Sequence, residues 1–357
     1  MINVTKPFLP PLEEYLKYVT EIWERNHLTN CGPLVCELEE KLCTYLGVDN
    51  LFYCSNGTIA LQAAIKALNI TGEVITTPFS YVATTNSIIW ENCTPIFVDI
   101  REDDFCINHE EIESKITEKT TAIMAVHVYG FPCHVDEIDR IAQKHNLKVI
   151  YDGAHAFGAK LNNKSLLDYG DISTCSFHAT KLFHTIEGGA VISNNKELAT
   201  KVRSLLTFGH IKDDYFNPGI NGKNSEFHAA MGLCNLKKIN EIIEARKKLS
   251  LHYDENLNLG KISKPKSNLN FNRNFSYYPI IFESENDLLK IDSILKDNQI
   301  FSRRYFYPSL NNLPFLTSKI SLPISESIAK RVLALPLYNG LNLKSIEFVS
   351  NLINHNI

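Results

Sequence analysis

Between residues 34 and 205 short β-rich runs alternate with stretches patterned for helices. This alternation limits the possible folds more than any other feature of the sequence. The runs EVITTPF, TPIFVDI, TAIMAVHVYG, LKVIYDGA and ISTCSFH are bounded by turn residues, as strands are. LVCELEEKLCTYLG carries apolar residues at helical spacing and ends in glycine. TIALQAAIKALNI, SYVATTNSIIWEN and VDEIDRIAQKHN are further helical candidates between the strands. Strand alternating with helix predicts an α/β fold with a largely parallel sheet covered on both faces. In such a sheet ligands bind outside the carboxyl ends of the strands. The residues that follow each strand are therefore the ones that could carry chemistry.

The chain has 357 residues, more than the ~250–300 at which a single core usually stops growing. A large domain over 1–240 and a smaller α+β domain over 241–357 are expected. EIIEARKKLSLHYDENL reads as the long helix that leads into the second, in which SYYPIIF and IFSRRYFY read as strands. The Asn- and Lys-rich segment 260–275 reads as a solvated loop.

The formal net charge is -4 and no long basic run is present, which argues against nucleic acid or an acidic membrane surface as the main partner. The nine cysteines form an odd set with no C-x-x-C pair. That fits neither a disulfide framework nor a zinc site, and no metal is expected. The opening MINVTKPFLPPLEEYLKYV meets Pro, Glu and Lys before a signal-peptide core could form, and no segment has the ~18 uninterrupted apolar residues of a membrane span. A soluble chain in the reducing cytoplasm, without a membrane partner, is predicted.

Three stretches stand at predicted strand ends. Ser55-Asn56-Gly57-Thr58 opens a helix, where free amides, the helix dipole and the Thr58 hydroxyl could hold a phosphate. Alone it is also a tight turn with Thr58 as a cap. Tyr151-Asp152-Gly153-Ala154-His155 ends a strand with an acid followed by small residues. They would let a planar ligand approach, and the acid could keep a heteroaromatic nitrogen protonated. Alone it is also a capping aspartate with a core histidine. In SFHATKLFHTIEGGA, Lys181 stands among small, aromatic and glycine residues with no second cation nearby. A lysine and an aspartate leaving two strand ends are what pyridoxal 5'-phosphate requires: an imine to its aldehyde, and a carboxylate on its ring nitrogen.

The segments SNGTIALQAAIKAL, EVITTPFSYVATTNSI, YDGAHAFGA, SFHATKLFHTIEGGA and GINGKNSEFHAAMGL resemble the DegT/DnrJ/EryC1/StrS family of pyridoxal-phosphate-dependent nucleotide-sugar aminotransferases. The likeness covers about two thirds of the chain closely and the remainder more loosely, through FSRRYFYPSLN. It implies the aspartate aminotransferase-like fold (fold type I). It implies Lys181 as the lysine bonded to the cofactor and Asp152 as the partner of the ring nitrogen. Gly57, Thr58 and Ser176 match the family's phosphate contacts, Tyr81 the residue stacked on the ring, and His155 the residue beside the ring hydroxyl. Asn221 resembles the asparagine that reaches the phosphate of a neighbouring subunit, so a homodimer with shared active sites is implied. Lys223 stands where many relatives have arginine, a point charge in place of a bidentate fork. With Arg303, Tyr305 and Tyr307 it is a candidate for substrate contact, although a surface arginine and core tyrosines are ordinary too.

The implied reaction passes an amino group from glutamate to a nucleotide-linked keto-sugar. The likeness is greatest to members forming dTDP-4-amino-4,6-dideoxyglucose from a dTDP-4-keto-6-deoxyhexose for O-antigen or other surface polysaccharide. A 3-keto-sugar or a UDP-linked substrate is the alternative within the class, and a non-catalytic regulatory relative is the alternative outside it. A nicotinamide oxidoreductase would want G-x-G-x-x-G after the first strand, and no such glycine set is found.

Overall fold

The computed structural model describes residues 1–316 and 319–357. A seven-stranded sheet forms its centre, with strands numbered here in chain order: β1 (Leu51–Cys54), β2 (Glu73–Thr76), β3 (Thr94–Phe97), β4 (Thr120–Val126), β5 (Lys148–Asp152), β6 (Ile172–Ser176) and β7 (Gly189–Ile192). They lie side by side in the order β1-β7-β6-β5-β4-β2-β3. The pairs β2–β3, β2–β4, β4–β5 and β5–β6 are parallel, and β7 runs antiparallel to both its neighbours. The mostly parallel α/β fold read from the sequence is thus observed.

Successive residues of a strand point to opposite faces, and here both faces are buried. Ile75, Ile123, Val149 and Tyr151 enter the core on one face. Val74, Met124, Ile150 and Val191 enter the core on the other. The first face is covered by the helices Pro33–Leu46 and Val135–His145, the second by Gly57–Ala67 and Lys196–Leu205. The helix Pro33–Leu46 has no side-chain cap of its own. Instead the buried carboxylate of Glu226 accepts from the amides of Leu34 and Val35, each at 3.0 Å. This anion sits where the helix dipole is positive.

The long helix Ile239–Asn256 belongs to both halves of the molecule. Ile239 and Ile242 join the core of the central sheet, whereas Leu249 and Tyr253 join the C-terminal core. There an antiparallel pair, Tyr278–Ile281 with Val332–Leu335, is packed by the helices Glu285–Asp297 and Leu343–Asn356. IFSRRYFY contributes a strand only at Ile300–Phe301, which pairs with Ile2–Asn3. The first residues of the chain, expected in the larger domain, therefore lie with the C-terminal strands.

The segment 260–275 departs from the solvated loop expected for it. Phe271–Asn272 pairs with Lys160–Leu161, the Arg273 guanidinium lies over the Phe131 ring at 5.0 Å, and Asn274 is buried. Its polar composition hides this, because the amide of Asn274 is spent on backbone carbonyls inside the protein.

Candidate active site

The carboxyl ends of β4, β5 and β6 open into a cavity of about 670 Å³, closed on one side by Arg303, Tyr305 and Phe306 from the C-terminal half. Asp152 is the last residue of β5 and is buried. Its Oδ1 accepts the Ala154 amide at 3.1 Å and its Oδ2 accepts the Thr84 hydroxyl at 2.8 Å. Thr84 has one hydroxyl hydrogen, already given to Asp152. The 2.8 Å contact between Ser80 and Thr84 is therefore donated by Ser80. A chain of donors from the helix Ala83–Trp90 and the loop before it fixes the carboxylate.

Lys181 lies in the loop joining β6 to β7. The loop is held by the Lys181 amide on the His178 carbonyl at 2.8 Å and the Thr185 amide on the Phe177 carbonyl at 2.9 Å. Nζ is 3.5 Å from the Tyr277 hydroxyl. Burial works to lower the pKa of this amine. Tyr277 and Asp152 outweigh burial and hold it above the ordinary lysine value.

The helix Gly57–Ala67 points its first turn into the same cavity. Its cap is Asn56, whose side chain accepts the Ile59 amide at 2.9 Å. The Thr58 hydroxyl is thereby spared the capping role that the sequence also allowed it. A Cβ at Gly57 would lie 2.9 Å from the Ser176 Cβ, so only glycine lets the helix come this close to the end of β6. The first amides of a helix have no partner within it. With Thr58 and Ser176 they form a small donor-lined cradle that suits a phosphate.

His155 is buried between aromatic rings, 5.5 Å from Phe306 and 5.0 Å from Tyr277. Burial, and then the Lys181 charge, hold its pKa well below the usual histidine value, so the ring is neutral. Nδ1 accepts the Tyr129 amide at 3.3 Å, which puts the ring hydrogen on Nε2. Tyr81, more than half exposed, stands at the cavity mouth.

The cavity thus gathers Gly57, Thr58, Tyr81, Asp152, His155, Ser176, Lys181, Arg303 and Tyr305 from the residues marked in the sequence. Three marked residues stand apart from it. Tyr307 is half exposed under the Arg304 guanidinium, 3.6 Å from the ring centroid. Asn221 is exposed and pairs with Thr207 in a hairpin, and the Lys223 ammonium lies 4.5 Å over the Phe208 ring on the same hairpin. Two residues that the sequence reading passed over join the site. Thr84 follows Ser80 by one helical turn, a spacing that could have flagged it, whereas nothing local distinguishes Tyr277 from the strand that follows it.

A donor-lined cradle, an aspartate fixed by two donors and one lysine, all in one cavity, make up a site suited to pyridoxal phosphate. The DegT/DnrJ/EryC1/StrS aminotransferase family matches residues 12–354, and the chain belongs to it. It is 43% identical over 359 residues to the dTDP-4-amino-4,6-dideoxy-D-glucose transaminase of Shigella dysenteriae, covering 99% of this chain and 98% of that one. To the Escherichia coli protein of the same name it is 44% identical over 366 residues, with the same coverage of each chain. The crystal structure of DesI in the presence of its TDP-sugar product matches with a TM-score of 0.93 at 30% identity, over 99% of this chain and 92% of that one. The aminotransferase class and fold type I expected from the sequence agree with these likenesses. Among the described residues, no helix is long and apolar enough to cross a membrane.

Proposed function

We propose that the protein transfers an amino group from glutamate to a dTDP-linked 4-keto-6-deoxyhexose, forming dTDP-4-amino-4,6-dideoxyglucose, a building block of surface polysaccharide. The observation that carries this reading is the 43–44% identity, over nearly the whole chain, to two transaminases named for that product. Pyridoxal phosphate, the cofactor of this family, supplies an electron sink for the carbon that loses or gains a proton. The residues of the chain supply the rest. Thr58, Ser176 and the first amides of the Gly57–Ala67 helix would hold the phosphate. Asp152 would keep the proton on the ring nitrogen, and the Nε2 hydrogen of His155 would face the ring hydroxyl. Lys181 would carry the cofactor through Nζ and, once released, move a proton at the substrate carbon. Arg303 and Tyr305, which line the C-terminal wall of the cavity, would meet substrate.

A homodimer with shared sites belongs to the same proposal. The hairpin bearing Asn221 and Lys223 exposes Phe208, Tyr215, Phe216 and Ile220 together, an apolar group that a second copy would cover. Nucleotide-linked substrates of this kind favour the cytoplasm as its setting. Incubating the protein with glutamate and a panel of dTDP- and UDP-linked 3-keto- and 4-keto-sugars, and reading products by mass and NMR, tests the reading. Turnover confined to a 3-keto or UDP-linked substrate would overturn it.

A further inference from the structure

Tyr277 sits outside the motifs that mark the site, yet its hydroxyl lies 3.5 Å from Lys181 Nζ. The ring is fixed on several sides, edge-on to His155 at 5.0 Å and to Tyr305 at 5.6 Å, and tilted against Tyr129 at 5.6 Å. Its backbone is fixed as well. The Asn274 side-chain amide donates to the carbonyls of His155 at 2.7 Å and Phe157 at 2.9 Å, and the Ser276 hydroxyl donates to the His155 carbonyl at 3.0 Å. One tripeptide thus ties the loop after β5, which carries His155, to the residue facing Lys181.

Arg246 adds a further restraint. It is buried, its Nη1 donates to the Ser276 carbonyl at 3.1 Å, and its Nε has no partner among the described residues. A buried guanidinium without a carboxylate is costly. What this one secures is the peptide immediately before Tyr277.

We propose that Tyr277 is a positioning residue for Lys181: its hydroxyl accepts a hydrogen bond from Nζ whenever the lysine is not joined to the cofactor, and so keeps the amine aimed into the cavity. The inference rests on Lys181 being the cofactor lysine. Transamination would free that lysine once per cycle, after which it must regain the cofactor by exchange with the product nitrogen. In turnover the leaving group would be the product amine, which takes up the two hydrogens lost by Nζ; when cofactor-free protein meets the free aldehyde, the neutral amine would add to its carbon and the oxygen would leave as water with those two hydrogens. An amine on a four-carbon stem would otherwise sample many rotamers between captures. The groups facing it from the packed elements are Asp152 from β5, Tyr277, Tyr305 and the neutral His155. Tyr277, Asp152 and Tyr305 favour the charged form, against burial.

The test is the rate at which cofactor-free protein captures added pyridoxal phosphate, followed by the absorbance of the lysine-bound cofactor across a pH series, for wild type and Tyr277→Phe. Phenylalanine keeps the ring packing and removes the hydroxyl. The neutral amine attacks, so losing a partner that favours the charged form should move the half-point of the profile to lower pH, by about one unit. The high-pH plateau should fall about tenfold, because the amine is no longer held. A profile that superimposes on wild type overturns the proposal. So does an equal loss at every pH with an unmoved half-point, which is what a general disturbance of packing would produce. Failure of the wild-type protein itself to capture the cofactor would instead sink the reading of Lys181 on which the proposal depends.

Discussion

Thr84 gives its single hydroxyl hydrogen to Asp152 Oδ2 at 2.8 Å and receives one from Ser80, so two side chains from one turn of chain set the direction of a carboxylate on another. A carboxylate held in this way would keep its direction toward the ring nitrogen of a bound cofactor. Asp152→Asn should retain cofactor but slow both half-reactions by orders of magnitude, since an amide cannot keep that nitrogen protonated. Thr84→Val should cost about tenfold in single-turnover rate through loss of one charge-assisted hydrogen bond. Stopped-flow absorbance measures both, and rates near wild type in Asp152→Asn would reduce the aspartate to a capping role.

Lys181→Ala should abolish turnover and the absorbance of lysine-bound cofactor while leaving the fold intact. Its ammonium makes a hydrogen bond at 3.5 Å, to Tyr277, and it borders the cavity, so its loss should leave the far-UV circular dichroism and the urea midpoint close to wild type. Full activity in this variant would remove the central claim.

Asp104 gives a prediction on pH. It is fully buried, and its Oδ2 has no hydrogen-bond partner among the described residues, lying 3.6 Å from Arg101 Nε and 3.7 Å from His134 Nε2. Burial pushes its carboxyl up to about 7 despite the Cys106 amide on Oδ1. A carboxyl whose pKa is raised on folding takes up a proton, so its stabilising contribution is present below the unfolded value near 4 and lost as pH rises to about 7. Asp104→Asn keeps the Oδ1 acceptor and removes the titration. Urea unfolding at pH 5 and pH 8 should show the variant more stable relative to wild type at pH 8 than at pH 5, by on the order of 1–4 kcal/mol. The half-buried His109 and His134, held below the usual histidine value first by burial, titrate in both proteins and largely cancel in the comparison.

If Asn221 reaches a neighbouring subunit's phosphate, assembly and cofactor retention are thermodynamically linked, since whatever binds only the assembled state stabilises it. Dilution should then release cofactor, and Asn221→Ala should release it at higher protein concentration than wild type. Sedimentation with absorbance detection follows both species at once. A wild-type monomer that stays active and saturated with cofactor would sink the shared site.

The residues proposed for covalent or ionic duties could be marked in the sequence because each such duty needs a particular residue type at a strand end. Asp152, Lys181 and the Asn56-Gly57-Thr58 turn stand out there by local pattern, Ser176 only through the family resemblance, and the alternation of strand and helix is likewise local, set by side-chain periodicity. Which groups hold those residues in place was decided by the tertiary structure. Thr84 lies 68 positions from Asp152 and Tyr277 lies 96 from Lys181, and neither side chain differs in kind from an ordinary helix threonine or strand tyrosine. The segment 260–275 misled for the same reason. Its Asn274 satisfies the carbonyls of His155 and Phe157, contacts that exist only once the chain has closed on itself, whereas composition registers polarity without registering the partner that permits burial.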